Sequence, residues 1–302
     1  MTSASYLDKP PAEPAPKKMA TVKANGHDSK PTPAPLRVLF ADDIDADMKG
    51  PPQVVEDLIC RCDVIDFHGP SHSGKTTFAV HLSLCVARGG VFLGKRTRRG
   101  AVVYIASESW ANVAMRVQGA KNLLANPERL PLAIVREPID LYGGETGDML
   151  KDAARVVACA KEFAARCGLP VALIVVDTLA RSCGDADENS TRDMGIVSRN
   201  LTNIAESTDA AVFVVHHTGR SESKHGRGSS VIYSNAEAEI SCEHDEGSDV
   251  YRVRVNKQRS LGTKGITLAA RFDSVELGTD EWGKPRTVPV VGVLESSYSR
   301  AA

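Results

Sequence analysis

None of the apolar runs in this chain approaches the roughly 18 uncharged residues that cross a bilayer. The N-terminus likewise has no apolar segment of a secretory signal, so no role at a membrane is expected and the expected location is the cytoplasm. A strong charge of either sign is missing too: 37 Lys and Arg stand against 38 Asp and Glu, a formal net charge of −1. Such a molecule captures no nucleic acid at a distance. Any contact with DNA or RNA has to be local, which counts against a sequence-specific DNA binder but not against a ring that threads a strand through a narrow basic channel. Aromatic residues make up only 5% of the chain, and no aromatic-rich platform for a single strand is visible. Seven cysteines are scattered, and the one close pair, Cys60 and Cys62, is spaced for neither a disulfide nor a four-ligand zinc site. Reduced, mostly buried thiols are expected, and no repeat of solenoid type is seen.

What is present falls into three stretches. Residues 1–35 are rich in Pro, Ala and Lys and carry almost no large apolar side chains, so they cannot bury enough surface to offset the entropy of ordering, and a disordered tail is expected. Residues 36–62 read as a lead-in that lays a short strand and a turn of helix against the domain after it. From 63 to 302 short β-branched runs alternate with longer amphipathic stretches, the pattern of an α/β domain with a mainly parallel sheet flanked by crossover helices. The strand candidates are 63–68, 101–107, 132–136, 171–177 and 211–217, several apolar almost throughout, as strands covered on both faces are. The helix candidates are 75–88, 110–126, 147–167 and 191–208. After residue 229 the helical period fades, and four runs within 236–294 read as antiparallel strands that extend the sheet.

The segment Gly69-Pro70-Ser71-His72-Ser73-Gly74-Lys75-Thr76 matches G-x-x-x-x-G-K-[ST] and stands between a strand and a helix. Gly69 and Gly74 let the backbone turn so that successive N–H groups face phosphate oxygens, and the helix N-terminus, with Thr77 in its first turn, adds favourable dipole charge. Lys75 suits the β- and γ-phosphates of a nucleotide and Thr76 a magnesium ion. Hydrolysis also needs a carboxylate near the metal and a group that orients water. Asp177 ends an apolar strand, where a lone charge is costly unless it emerges beside the metal at the sheet edge. Glu108 follows the strand 101–107, and strand C-termini of an open parallel sheet converge on the ligand crevice. Taken alone, Glu108 suits either polarisation of a water or the dipole of the helix after it. His217 closes 211–217 at the same edge, within reach of a γ-phosphate, while His216 faces the other way. These two adjacent histidines lack the i,i+4 spacing of a metalloprotease site.

With its P-loop, Glu108, Asp177 and His217 in this order, the chain resembles the RecA-like P-loop ATPases of the hexameric replicative helicase group, which includes plasmid RepA-like and DnaB-like helicases. The resemblance covers about residues 36–280 and is carried by YIASES around Glu108, VVHHTGR (214–220), RGSS (227–230) and NKQRSLGTKGITLAARF (256–272). It implies a RecA-like core for residues 63–302, ATP and Mg2+ as cofactors, Glu108 as catalytic base and His217 as γ-phosphate sensor. It also implies that Lys257 and Arg259 reach across a subunit interface as piston and arginine finger, so that a homo-oligomeric ring, hexameric in this group, is the working unit. Composition alone would read those two residues as the solvated face of an edge strand. The Gly/Ser-rich, basic segment 219–230 follows the sensor directly, and its Arg220, Lys224 and Arg227 suit the phosphates of a single DNA strand, although a flexible surface loop has the same composition. The acidic loop 181–195 is a poorer candidate for a strand, and no primase-interacting domain is recognisable ahead of the core. The leading expectation is a compact replicative helicase acting with replication or loading proteins. A recombinase or recombination mediator, or a regulatory ATPase that acts on protein partners, are the alternatives.

Overall fold

The structure is a computed structural model, and it describes residues 38–44, 50–123, 129–143, 151–217, 230–244, 247–292 and 298–300. The chain divides into two units, Met1–Met48 and Lys49–Ala302. In the first, a 3-10 turn spans Ala41–Asp43, and Val38, Leu39, Phe40 and Ile44 are exposed.

The second unit begins with a small hairpin, β1 (Gln53–Val55) and β2 (Ile59–Cys60), whose Val54, Val55, Leu58 and Ile59 belong to the core. β3 (Val64–Gly69) then runs into the phosphate loop and α1 (Lys75–Arg88). A second hairpin, β4 (Val91–Phe92) and β5 (Lys95–Arg96), leads to β6 (Ala101–Ala106), α2 (Trp110–Asn122), β7 (Leu132–Val135), α3 (Lys151–Cys167) and β8 (Val171–Asp177). After a 3-10 turn at Leu179–Arg181 come α4 (Thr191–Thr208), β9 (Ala211–His217) and the short α5 (Val231–Asn235). Five strands finish the unit: β10 (Ala238–His244), β11 (Val250–Gln258), β12 (Ile266–Thr279), β13 (Pro285–Gly292) and β14 (Tyr298–Arg300).

Ten of these strands form one sheet, in the order β13-β12-β11-β10-β3-β9-β8-β6-β7, with β14 also paired to β12. From β10 to β7 the strands are parallel. From β10 outward through β11, β12 and β13 the pairing is antiparallel. β10 is therefore where the sheet switches, and the antiparallel extension starts one strand later than the alternation of side chains suggested. The cause is a crossover: the connection through α5 returns the chain to the start of β3, where Glu237 N–H donates to the Val64 carbonyl at 3.0 Å.

β3, β6 and β8 are buried at every position, the state their unbroken apolar runs demand. Alternate residues feed two layers. Phe67, Tyr104, Val175 and Phe213 pack with Phe78 and Leu82 of α1, whereas Ile105, Ile174, Val212 and Val214 pack with Val156 of α3 and Leu201 of α4. The ends of α4 are capped by side chain and backbone: Ser190 Oγ accepts from Asp193 N–H at 3.2 Å, and Asp209 closes the helix in the left-handed region at φ 53°. A serine N-cap of this kind contributes about 1 kcal/mol. Among the described residues no helix is long and apolar enough to cross a membrane.

Candidate nucleotide site

The parallel strands end together on one rim of the sheet, and the residues that follow them close a cleft of about 590 Å³, within the usual range for a ligand site. β3 delivers the phosphate loop. Gly74 has φ 91° and lies against the Phe272 ring, so a side chain there would meet both backbone strain and the ring. A Cβ at Gly69 would strike the Cys242 carbonyl of β10, which keeps the mouth of the loop close to the sheet. Lys75 is buried, and its Nζ donates to the carbonyls of Gly69 (2.9 Å) and Pro70 (2.6 Å). Burial lowers its pKa, opposed by the negative charges of Asp177 and Glu108. The ammonium is thus held at the loop by groups that phosphate oxygens can replace.

Asp177 is buried at the end of β8. Its Oδ2 accepts from the Tyr104 hydroxyl at 2.6 Å, while Oδ1 is buried with no hydrogen-bond partner. Burial raises its pKa, and the Tyr104 hydrogen bond opposes the rise. An orphaned carboxylate oxygen in the nucleotide cleft, which Thr76 also lines, fits a hydrated magnesium ion. Thr76 and Asp177 are the residues that would hold it. No group of three or more His, Cys, Asp or Glu residues among those described could bind a metal by itself, so a magnesium ion here would need its remaining ligands from water and phosphate.

Glu108 leaves β6 beside this carboxylate, its N–H donating to the Asp177 carbonyl at 3.3 Å. It is exposed to the cleft and stands 3.9 Å from His217 Nε2. Burial lowers the pKa of His217, and the cation of Lys75 lowers it further. On the other face of the same strand, His216 Nδ1 lies 3.3 Å from Asp66 Oδ1, as strict alternation requires.

Pro70 and Ser71 are exposed, His72 turns the loop at φ 66°, and Ser73 is buried, its carbonyl accepting from Cys242 Sγ. Thr77 lines the cleft with Ser71 and His72. Lys257 and Arg259 do not line it. They sit at the far end of β11, where Lys257 Nζ donates to the carbonyls of Tyr233 (2.5 Å) and Ser234 (3.1 Å) and Arg259 donates to Ser234 at 2.5 Å. Arg220, Lys224 and Arg227 lie outside the described residues.

Among the cleft residues that the sequence did not single out, Arg116, Tyr251 and Phe272 matter most for its chemistry. Arg116, on the face of α2 that also carries Asn112 and Val113, brings a guanidinium into the cleft. Its place four and three residues after those two, one turn into the helix that follows Glu108, was the available signal. Tyr251 of β11 and Phe272 of β12 stack at 3.9 Å and 13°, with His244 stacked on Tyr251 at 4.0 Å and 13°. This pile of flat rings borders the phosphate loop beside Gly74, and no local motif announces it.

A family model described as "AAA domain" matches residues 30–223. Among solved structures, the chain is similar to the ATPase domain of a larger protein, with 13% identity over 70% of this chain and 82% of that one and a TM-score of 0.50. It also matches the RadB recombinase (16% identity, 70% and 88% covered, TM-score 0.48). A third match is a DnaB-like replicative helicase studied with primase (14% identity, TM-score 0.49); it covers 74% of this chain but only 57% of the helicase. None of the curated proteins gives a match. At 13% identity the first of these, with its TM-score of 0.50, speaks for the fold alone, a RecA-like core.

Proposed function

The chain belongs to the AAA-domain family, and we propose that it is an ATP-driven motor on single-stranded DNA, a replicative helicase of plasmid or phage type that works as a homo-oligomeric, hexameric ring. The observation that carries the reading is the placing of Lys75, Asp177, Glu108 and His217 around one cleft, with Glu108 and His217 3.9 Å apart. The phosphate loop and Lys75 bind the triphosphate. Thr76 and Asp177 would hold magnesium, which when bound would neutralise phosphate charge. Glu108 takes the proton of the attacking water. His217 meets the γ-phosphate, and its loss is felt along β9 by the residues that follow it, among them Arg220, Lys224 and Arg227, which on this reading hold the strand.

Steady-state ATP hydrolysis with and without single-stranded DNA, at two salt concentrations and beside a sizing experiment, tests the proposal. Salt-sensitive stimulation in a ring-sized species is expected. An ATPase indifferent to nucleic acid would favour the second reading, a regulatory ATPase acting on proteins. That reading has its own support in the net charge of −1 and in the exposed Asp185, Asp187 and neighbouring Glu188 beside the cleft strand β8.

A further inference from the structure

The two edges of the large sheet differ in a complementary way. At one edge β12 and β13 run on as a ladder into a turn at Asp280–Lys284, and most of the last seven residues of β12 are exposed. Asp280 fixes that turn with four hydrogen bonds, one of them from Gly283 N–H to its carbonyl at 3.1 Å. Its Oδ1 accepts from the N–H groups of Trp282 (2.9 Å) and Lys284 (2.8 Å), and its own N–H donates to the Lys284 carbonyl (2.8 Å). This ordered turn presents Trp282, 79% exposed and the most exposed large apolar side chain among the described residues, with exposed Glu281 beside it. An indole held in water on a rigid turn is preorganised for contact, and tryptophan is among the residues most enriched at the centres of interfaces.

At the other edge the outermost strand is β7. Below it a cavity of about 420 Å³ opens between the residues that precede β7 and the last turns of α3. Leu132, Phe163 and Leu169 give it an apolar wall and are only partly buried; Arg99, Arg129 and Arg166 are exposed around it. None of the three arginines has an ion-pair partner among the described residues. Like charges gathered around one apolar hollow repel each other until an anion joins them.

We propose that the Trp282 turn of one copy docks in the arginine-rimmed cavity of a second copy of this chain. The indole fills the apolar hollow, a guanidinium lies against its face, and Glu281 meets the arginines. Acidic charge on the turn favours this occupant over a nucleic acid strand, since Asp273, Glu276, Asp280 and Glu281 outnumber Lys284 and Arg286 along the hairpin. Turn and cavity lie at opposite edges of one sheet, so a copy docked through one still offers the other until a ring closes, and the association is head-to-tail. As the contact that closes a ring, it rests on the reading of the protein as a ring-forming motor.

The cavity carries its own reporter, because Cys167 lines it. In full-length protein with Cys62→Ser to remove the exposed thiol, Glu281→Cys is treated with a short bismaleimide and run on a denaturing gel, while untreated protein is sized by sedimentation with Mg-ATP. A ladder of cross-linked species that vanishes when Cys167→Ser is added is expected. Oligomers without a Cys167-dependent ladder overturn the docking and leave the ring reading standing; monomers under every condition overturn both. Trp110→Phe leaves Trp282 as the sole tryptophan, and its emission is expected to move to shorter wavelength on assembly without DNA. A response to oligo(dT) alone would instead assign the indole to base stacking and overturn the proposal.

Discussion

His217 Nε2 stands 3.9 Å from Glu108 Oε2, so the side chain proposed to sense the γ-phosphate and the one proposed to activate water meet in the cleft that Lys75 also lines. With its pKa lowered from 6.5 by burial and by the Lys75 cation, His217 is neutral at pH 7 and leaves Glu108 free to act as a base. Glu108→Gln keeps the shape and removes the basicity. ATP affinity is expected to stay within about threefold of wild type while kcat falls by about 10² to 10⁴. Nucleotide titration and steady-state turnover check this, and near-normal kcat would move the base elsewhere.

Asp177 sets stability against activity. Its pKa is raised above the ordinary 3.8 by burial, so between 3.8 and its folded value the native state binds more proton than the unfolded one. Stability from this group is therefore lost as pH rises through that window and stays lost above it. Asp177→Asn removes the charge, and the nucleotide-free variant is expected to be more stable than wild type at pH 7, with the gap closing toward pH 3.8. Its Mg-dependent ATPase is expected to fall by about a hundredfold or more. Urea denaturation at several pH values reads the first effect, and a variant less stable than wild type at pH 7 would count against it.

The stack of His244, Tyr251 and Phe272 offers the edge of an aromatic pile next to the phosphate loop, at a place a nucleobase can reach. His244 and Phe272 cover the two faces of Tyr251, so a base meets only its edge, and Tyr251→Ala removes that edge together with the support of the pile. KM for ATP is expected to rise by about tenfold with little change in kcat, and Tyr251→Phe to restore it. An unchanged KM in the alanine variant would place the base elsewhere in the cleft.

Local signals made the phosphate loop and the parallel strands legible, and the spans Lys75–Arg88, Val171–Asp177, Thr191–Thr208 and Ala211–His217 are those expected. Apolar runs report burial on both faces, and Gly69 and Gly74 report backbone conformation, without knowledge of distant residues. Tyr251 and Phe272 carry no such mark. They meet only because β11 pairs with β12 and the pair lies against α1, where Phe78 meets Phe272 edge-on at 5.1 Å. The length of β12 was hidden for a different reason. Beyond Phe272 the run Asp273–Thr279 is largely solvated and held by backbone pairing to β13, so burial leaves no alternation to read. The direction of β10 was equally silent, since period-two alternation is the same for a parallel and an antiparallel neighbour.

Lys257 and Arg259 make the last prediction, because in the single chain both cations are taken up by the carbonyls of Tyr233 and Ser234 at the end of α5. A finger that acts in trans must exchange those carbonyls for a neighbour's phosphates, so its effect belongs to the assembly. Arg259→Ala is expected to bind ATP normally and to hydrolyse it about 10³-fold more slowly, whereas Lys75→Ala is expected to lose nucleotide binding. Mixing the two inactive proteins should then restore part of the activity, because some interfaces combine an intact Lys75 loop from one copy with an intact Arg259 from the other. The recovered rate is expected to pass through a maximum as the mixing ratio is varied and to vanish on dilution below the assembly concentration. Mixed oligomers that form yet hydrolyse no faster than either parent would return Lys257 and Arg259 to a structural role as the cationic cap of α5, where the helix C-terminus favours positive charge.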